Sequence, residues 1–133
     1  MGGRGSRIPG VGIPEGNREY STIAYIDGIP VVQWDKGVNN TTIIMSNSSY
    51  AYYAFSKERQ QIEKVYLFDK DHLIYKQIEF KITGKEHFHY FYPDDKGGAG
   101  RTSHIDRNHH RLTEEEWKWV RKALEFNKKY RKR

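Results

Sequence analysis

From Ser21 onward the chain alternates short β-rich runs with turn residues, the pattern of an antiparallel sheet. STIAYI (21–26), Asp27-Gly28 and IPVVQW (29–34) predict a hairpin, because Asp-Gly readily supplies the positive φ that two-residue hairpin turns require. Pro30 has no N–H for a ladder, so it predicts either an edge strand or a delayed strand start. TTIIM (41–45) reads as a short strand between the polar stretches DKGVNN and SNSS. YAYYAF (50–55) is ambiguous between a strand and a helix starting at Ser48 or Ser49; its tyrosines and Phe55 favour strand. EKVYLFD (63–69), a turn at Lys70-Asp71 and HLIYKQIEF (72–80) continue a meander. Thr83-Gly84 turns the chain into EHFHYFY (86–92), which Pro93 is expected to end, and PDDKGGAGRTS (93–103) reads as a long polar loop.

The periodicity then changes. Thr113 has the character of an N-cap, with Glu116 three residues on as its capping-box partner and Leu112 just before it. Trp117, Val120 and Leu124 follow at helical spacing, with Phe126 or Asn127 as a continuation, and predict an apolar stripe laid across one sheet face. The expected fold class is α+β: a mainly antiparallel sheet of about five to seven strands with one C-terminal helix packed on it. Residues 1–18 hold six of the twelve glycines and two of the four prolines and are expected to be disordered, leaving residues 19–133 as a single domain.

Composition narrows the function classes. The chain has no cysteine, which excludes disulfides, thiolate zinc sites, iron–sulfur clusters and cysteine nucleophiles. It also lacks a run of roughly 20 apolar residues that could span a bilayer, and its start has no apolar core of a secretory signal. Aromatic residues make up 14%, so the core is expected to be built from Tyr, Phe, Ile and Val. The net charge is +6, and residues 121–133 alone carry seven Lys/Arg and one Glu. Cations at a helix C-terminus complement the macrodipole, and their excess here also suits a polyanion such as nucleic acid.

The chemistry-bearing residues cluster. Five of the six histidines lie between residues 87 and 110. Period-two geometry puts His87 and His89 on one strand face with Phe91, and Phe88, Tyr90 and Tyr92 on the other, which is the natural core face. The H-x-H pair can converge on one divalent transition metal such as zinc. His104 completes the leading metal set, with His109, His110 or the carboxylate of Asp106 as other third ligands. Metal-free phosphodiester cleavage is the competing chemistry. His87 or His89 would then act with His104 or His109 as acid and base, and Lys85, Arg101 or Arg107 would hold the phosphate. No P-loop, dinucleotide fingerprint, G-x-S-x-G or H-E-x-x-H is present.

Several short motifs together resemble a loose group of small proteins encoded by phages and mobile elements of Gram-positive bacteria. They are the MGGRGS start, Phe68-Asp69, Lys76-Gln77-Ile78-Glu79, His87-Phe88-His89, the histidines at 104, 109 and 110, and Leu112-Thr113-Glu114-Glu115-Glu116. The arrangement is also similar to C-terminal modules of bacterial polymorphic toxins, many of which are presumed nucleases. Glu79 stands where that pattern more often has Asp, and Glu86 where it has Pro. The resemblance implies a phage-encoded accessory protein of the host-cell cytoplasm acting on nucleic acid or a nucleotide through its histidines, as a small nuclease. The alternative is a non-enzymatic anti-defence protein that binds a host protein or sequesters a nucleotide signal, and either could be a homo-oligomer.

Overall fold

A computed structural model describes residues 20–34, 50–94 and 102–131. Seven strands and one helix follow in chain order: β1 (Tyr20–Ile26), β2 (Ile29–Trp34), β3 (Ala51–Ser56), β4 (Gln61–Phe68), β5 (Ile74–Glu79), β6 (His87–Asp94), β7 (Thr102–Ile105) and α1 (Glu114–Arg131). The strands stand in the sheet in the same order as in the sequence, β1 to β7. All neighbours are antiparallel except β2 and β3. The fold is α+β, as the pattern implies. The predicted strand 41–45 and the predicted disordered segment 1–18 lie outside the described residues.

The first hairpin closes at Asp27 (φ 51°) and Gly28 (φ 82°), the two left-handed positions of a tight turn that Asp-Gly tolerates. β2 is an interior strand, not an edge. Pro30 is accommodated because it pairs only with Tyr25 of β1, while the β3 ladder begins one residue later at Val31. Residues 50–55 enter a strand, and β3 is buried along its whole length. At the β4–β5 turn the Asp69 side chain accepts hydrogen bonds from the backbone N–H groups of Asp71 (2.8 Å) and Leu73 (3.1 Å), with His72 at φ 64°.

β6 does not stop at Pro93. It runs to Asp94, and the last two residues of the presumed polar loop, Thr102 and Ser103, begin β7, which pairs Phe91 with Ile105 and Asp94 with Thr102. Four residues with Thr, Ser and His among them carry little strand signal alone; the ladder to β6 supplies it.

The helix packs on one face of the sheet. Val31, Tyr53, Phe55, Val65, Leu67, Ile78 and Phe88 meet Val120 and Ala123 there. The buried line of α1 is Glu116, Val120, Ala123 and Asn127, whereas Leu124 is 47% exposed. The expected Trp117–Val120–Leu124 stripe is therefore rotated, because two polar residues occupy its buried ends. Asn127 accepts from the Ile62 N–H (2.7 Å) and donates to the Ile62 carbonyl (3.0 Å), acting as a ladder partner for that peptide. Glu116 closes the capping box by accepting from Thr113 N–H (2.7 Å) and Oγ1 (2.6 Å). Its other oxygen accepts from the buried Lys76 ammonium at 2.6 Å. Burial pushes the Glu116 carboxyl up, and the hydrogen bonds from Lys76 and Thr113 overcome that, leaving it below its ordinary value.

The opposite face is not simply a solvated one. Val32, Tyr52, Ala54, Tyr66, Phe68, Ile74 and Phe91 form a second buried cluster there. Among the described residues no helix is long and apolar enough to cross a membrane.

Candidate functional site

The site is built where β5, β6 and the segment after β7 meet. Strand alternation puts His87, His89 and Phe91 on the face away from the helix, with Phe88 and Tyr90 against it, as the period-two pattern implies. That face is closed over at its middle, so facing away from the helix core does not leave both imidazoles in solvent. His89 is only 7% exposed, and His87 is half-buried. The register of β5 sets Gln77 beside His89 and Glu79 beside His87.

The third imidazole arrives through an irregularity in the ladder. Phe91 opposite Ile105 would place residue 108 opposite Phe88, but His110 occupies that position, so the β7 side carries two extra residues. Phe88 and His110 exchange two backbone hydrogen bonds of 2.9 Å, and Asp106 N–H bonds the Tyr90 carbonyl at 2.7 Å. With His110 stacked on Phe88, the preceding residue, His109, projects to the other face and lands on the H-x-H pair.

The three rings interlock. His87 and His109 stack in parallel, with centroids 3.9 Å apart and planes 3° from parallel. His89 stands edge-on to both, at 4.8 Å from His87 and 4.9 Å from His109. One ring nitrogen from each lies within 4.8 Å of the other two. Two rings are anchored at the back: His87 Nδ1 lies 2.8 Å from the Lys85 carbonyl and His89 Nδ1 lies 2.8 Å from the Asp106 carbonyl. A carbonyl only accepts, so each Nδ1 carries the proton, and a neutral ring keeps its lone pair on Nε2. Glu79 lies 3.7 Å from His87 Nε2. Desolvation within the ring cluster and the neighbouring His87 and His89 hold His109 below its ordinary pKa, against the opposing pull of Glu79.

A cleft of ≈ 620 Å³ opens beside the cluster, lined by Glu79, Lys81, Ile82, Lys85, Glu86, His87, His109, His110 and Arg111. Three of these are exposed cations: Lys81, Lys85 and Arg111.

The structure therefore joins His87, His89, His109 and Lys85 of the sequence candidates. For His104 the backbone pairs with Tyr92, and its side chain lies outside the described residues. Arg101 also lies outside them, and exposed Arg107 does not line the cleft. Lys81, Arg111 and the position of Glu79 were missed by sequence reasoning. The basic end of α1 sits by Gln60 and Gln61 at the start of β4 and does not line the cleft. His72 is likewise apart, stacked on Tyr50 at the β4–β5 turn.

Chemically, three inward-facing imidazoles can coordinate one cation or relay protons, and the adjacent lysines and arginine can hold an anionic group. No protein-family model, curated protein or solved structure matches the chain.

Proposed function

We propose that the protein is a small nuclease-like enzyme that cleaves phosphodiesters of nucleic acid. His87, His89 and His109 form the reacting centre, and Lys81, Lys85 and Arg111 hold the phosphate. The supporting observation is that His87 and His109, two of the three clustered imidazoles, border one cleft with the three cations. Phosphoryl transfer needs both proton or water activation and neutralisation of oxyanion charge, and the cleft offers the groups for each side by side. The resemblance to phage-encoded proteins and toxin modules favours a target inside a bacterial host cell.

The alternative, a binding module that sequesters a nucleotide, drew on the wealth of aromatic side chains for base stacking. Tyr52, Tyr53, Phe55 and Phe68 are instead spent on the two cores, and none lines the histidine cleft. That leaves cleavage as the better supported reading.

The test is incubation of the purified chain with end-labelled single- and double-stranded DNA and RNA, in the presence of zinc, manganese or magnesium. Cleavage that falls at least about 100-fold in His87→Ala supports the reading, as loss of a general acid–base group or ligand does. Lys85→Glu with Arg111→Glu should weaken substrate binding and reduce the salt slope by roughly one per lost phosphate contact. Intact substrates under every condition, or unchanged cleavage in His87→Ala, would refute it.

A further inference from the structure

We infer that His87, His89 and His109 form a mononuclear transition-metal site of the zinc class, with an open position facing the Glu79–Lys85 cleft. The site stands on its own geometry; the use of the metal rests on the phosphodiester reading above.

Three features carry it. First, the Nδ1 atoms of His87 and His89 are engaged by backbone carbonyls at 2.8 Å, which is how metal-bound imidazoles are oriented and their Nε2 lone pairs presented. Second, the three donor atoms already lie within 4.8 Å of one another. Two ligands at about 2.05 Å from a tetrahedral zinc stand about 3.3 Å apart, so closure needs a shift of about 1.5 Å at most. His109 is exposed on the segment between β7 and α1 and can supply that shift, while His89 is held in the sheet. Third, His89 is only 7% exposed and stands edge-on to the other two rings, so the innermost imidazole of the cluster is shielded from bulk water.

The donor set selects the metal class. Three neutral imidazoles with no thiolate suit zinc or a neighbouring late transition ion over magnesium or calcium, which prefer oxygen. Three protein ligands also leave a position for water, as in catalytic zinc sites. Glu79 stands beside that position, 3.7 Å from His87 Nε2, outside the ligand set. In the hydrolysis this permits, the bound water gives one proton to the Glu79 carboxylate and its oxygen forms the new bond to phosphorus. The bond to the leaving oxygen breaks, and that oxygen departs with the proton from Glu79.

The experiment uses untagged full-length chain purified without a nickel column. Zinc and other metals are quantified by mass spectrometry. The melt is recorded with excess zinc or chelator, and cobalt(II) is added as a spectroscopic probe. The expected result is one tightly bound equivalent, a tetrahedral cobalt spectrum and a melting temperature raised by roughly 10 °C at zinc about 100-fold above Kd. Removing a ligand should cost more than the about 10–100-fold of a second-shell change. His109→Ala, at an exposed position, should keep the chelated wild-type melt while binding zinc at least about 100-fold more weakly. Glu79→Gln should retain zinc and the cobalt spectrum. A wild-type melt that saturating zinc and cobalt do not move, or His109→Ala binding zinc as tightly as wild type, would overturn the proposal. Cleavage that persists in chelator by metal-free protein would overturn the metal and spare the nuclease reading; a zinc-loaded protein that cuts no nucleic acid would do the reverse.

Discussion

Replacing Glu116 by Gln isolates the charge of a buried carboxylate that joins helix cap to sheet. Gln keeps an acceptor for Thr113 N–H and Oγ1, so the capping box survives, but the Lys76 ammonium loses its counter-ion. Lys76 and Glu116 side chains are only 7% and 3% exposed, so water cannot take over that role. Lys76 keeps weaker favourable contacts, its Nζ lying 4.6, 5.7 and 5.8 Å from the Phe88, Tyr90 and Tyr75 ring centroids. Breaking a buried pair from one side costs about 3–5 kcal/mol, and the retained amide and ring contacts place Glu116→Gln near the lower end. The assay is urea denaturation at pH 7, comparing midpoints at constant slope, with Lys76→Met and the double variant completing a cycle. A coupling energy of about 2 kcal/mol or more is expected, since each single change strands one buried charge and the double strands none. The pH dependence supplies a second reading. The folded carboxyl of Glu116 is held below its ordinary value, so its contribution is full above the unfolded pKa of about 4.3 and is lost as pH falls toward the folded pKa. Glu116→Gln should flatten that part of the acid limb. A destabilisation below about 1 kcal/mol with an unchanged acid limb would refute the argument that this pair anchors α1 to β5.

Other outcomes follow from the same geometry. Asn127→Ala leaves the Ile62 N–H and carbonyl without partners and should cost about 2–4 kcal/mol in the same urea assay. Gly84→Ala meets no neighbouring atom within 4 Å but holds φ at +87°, so calorimetry should show a loss of about 1 kcal/mol from backbone strain alone. Zinc retention, followed by dialysis across pH, should weaken as pH falls, because metal binding releases protons from its ligands and acid reverses it. Leu124→Ala, at an exposed helix position, should change stability by less than about 0.5 kcal/mol, whereas Val120→Ala should cost a core-sized amount of about 2 kcal/mol.

What could be read from the chain was whatever is encoded locally. Asp27-Gly28, the Thr113–Glu116 capping box and the shared face of His87 and His89 each depend on a few adjacent residues, and each has its expected local form. The misreadings all involve a partner distant in sequence. Glu116 was legible as a capping-box partner and Asn127 as a continuation of the stripe, but their distant partners, Lys76 and the Ile62 peptide, were not. Leu124 resembles a core residue until the helix is turned by those two anchors. β7 becomes a strand only beside Phe91 and Tyr92. His109 reaches the cluster through two extra residues in a ladder, a count that no spacing rule along one chain reveals. His89 is buried because the sheet has apolar clusters on both faces, which the alternation of one strand does not show.

The order of the strands has a kinetic consequence. From β3 to β7 every neighbour in the sheet is also the next strand in the chain, so each pairing closes a short loop. Such contacts are reached quickly, because loop-closure entropy grows with the length of chain enclosed. The parallel join of β2 to β3 breaks this run, since parallel neighbours require the chain to cross back before Val31 can meet Tyr53. Docking of the β1–β2 hairpin onto the meander should therefore be the slow event in refolding. The histidine pocket, built wholly from β5 onward, belongs to the part that zips first, and its formation need not wait for the N-terminal hairpin to find its place.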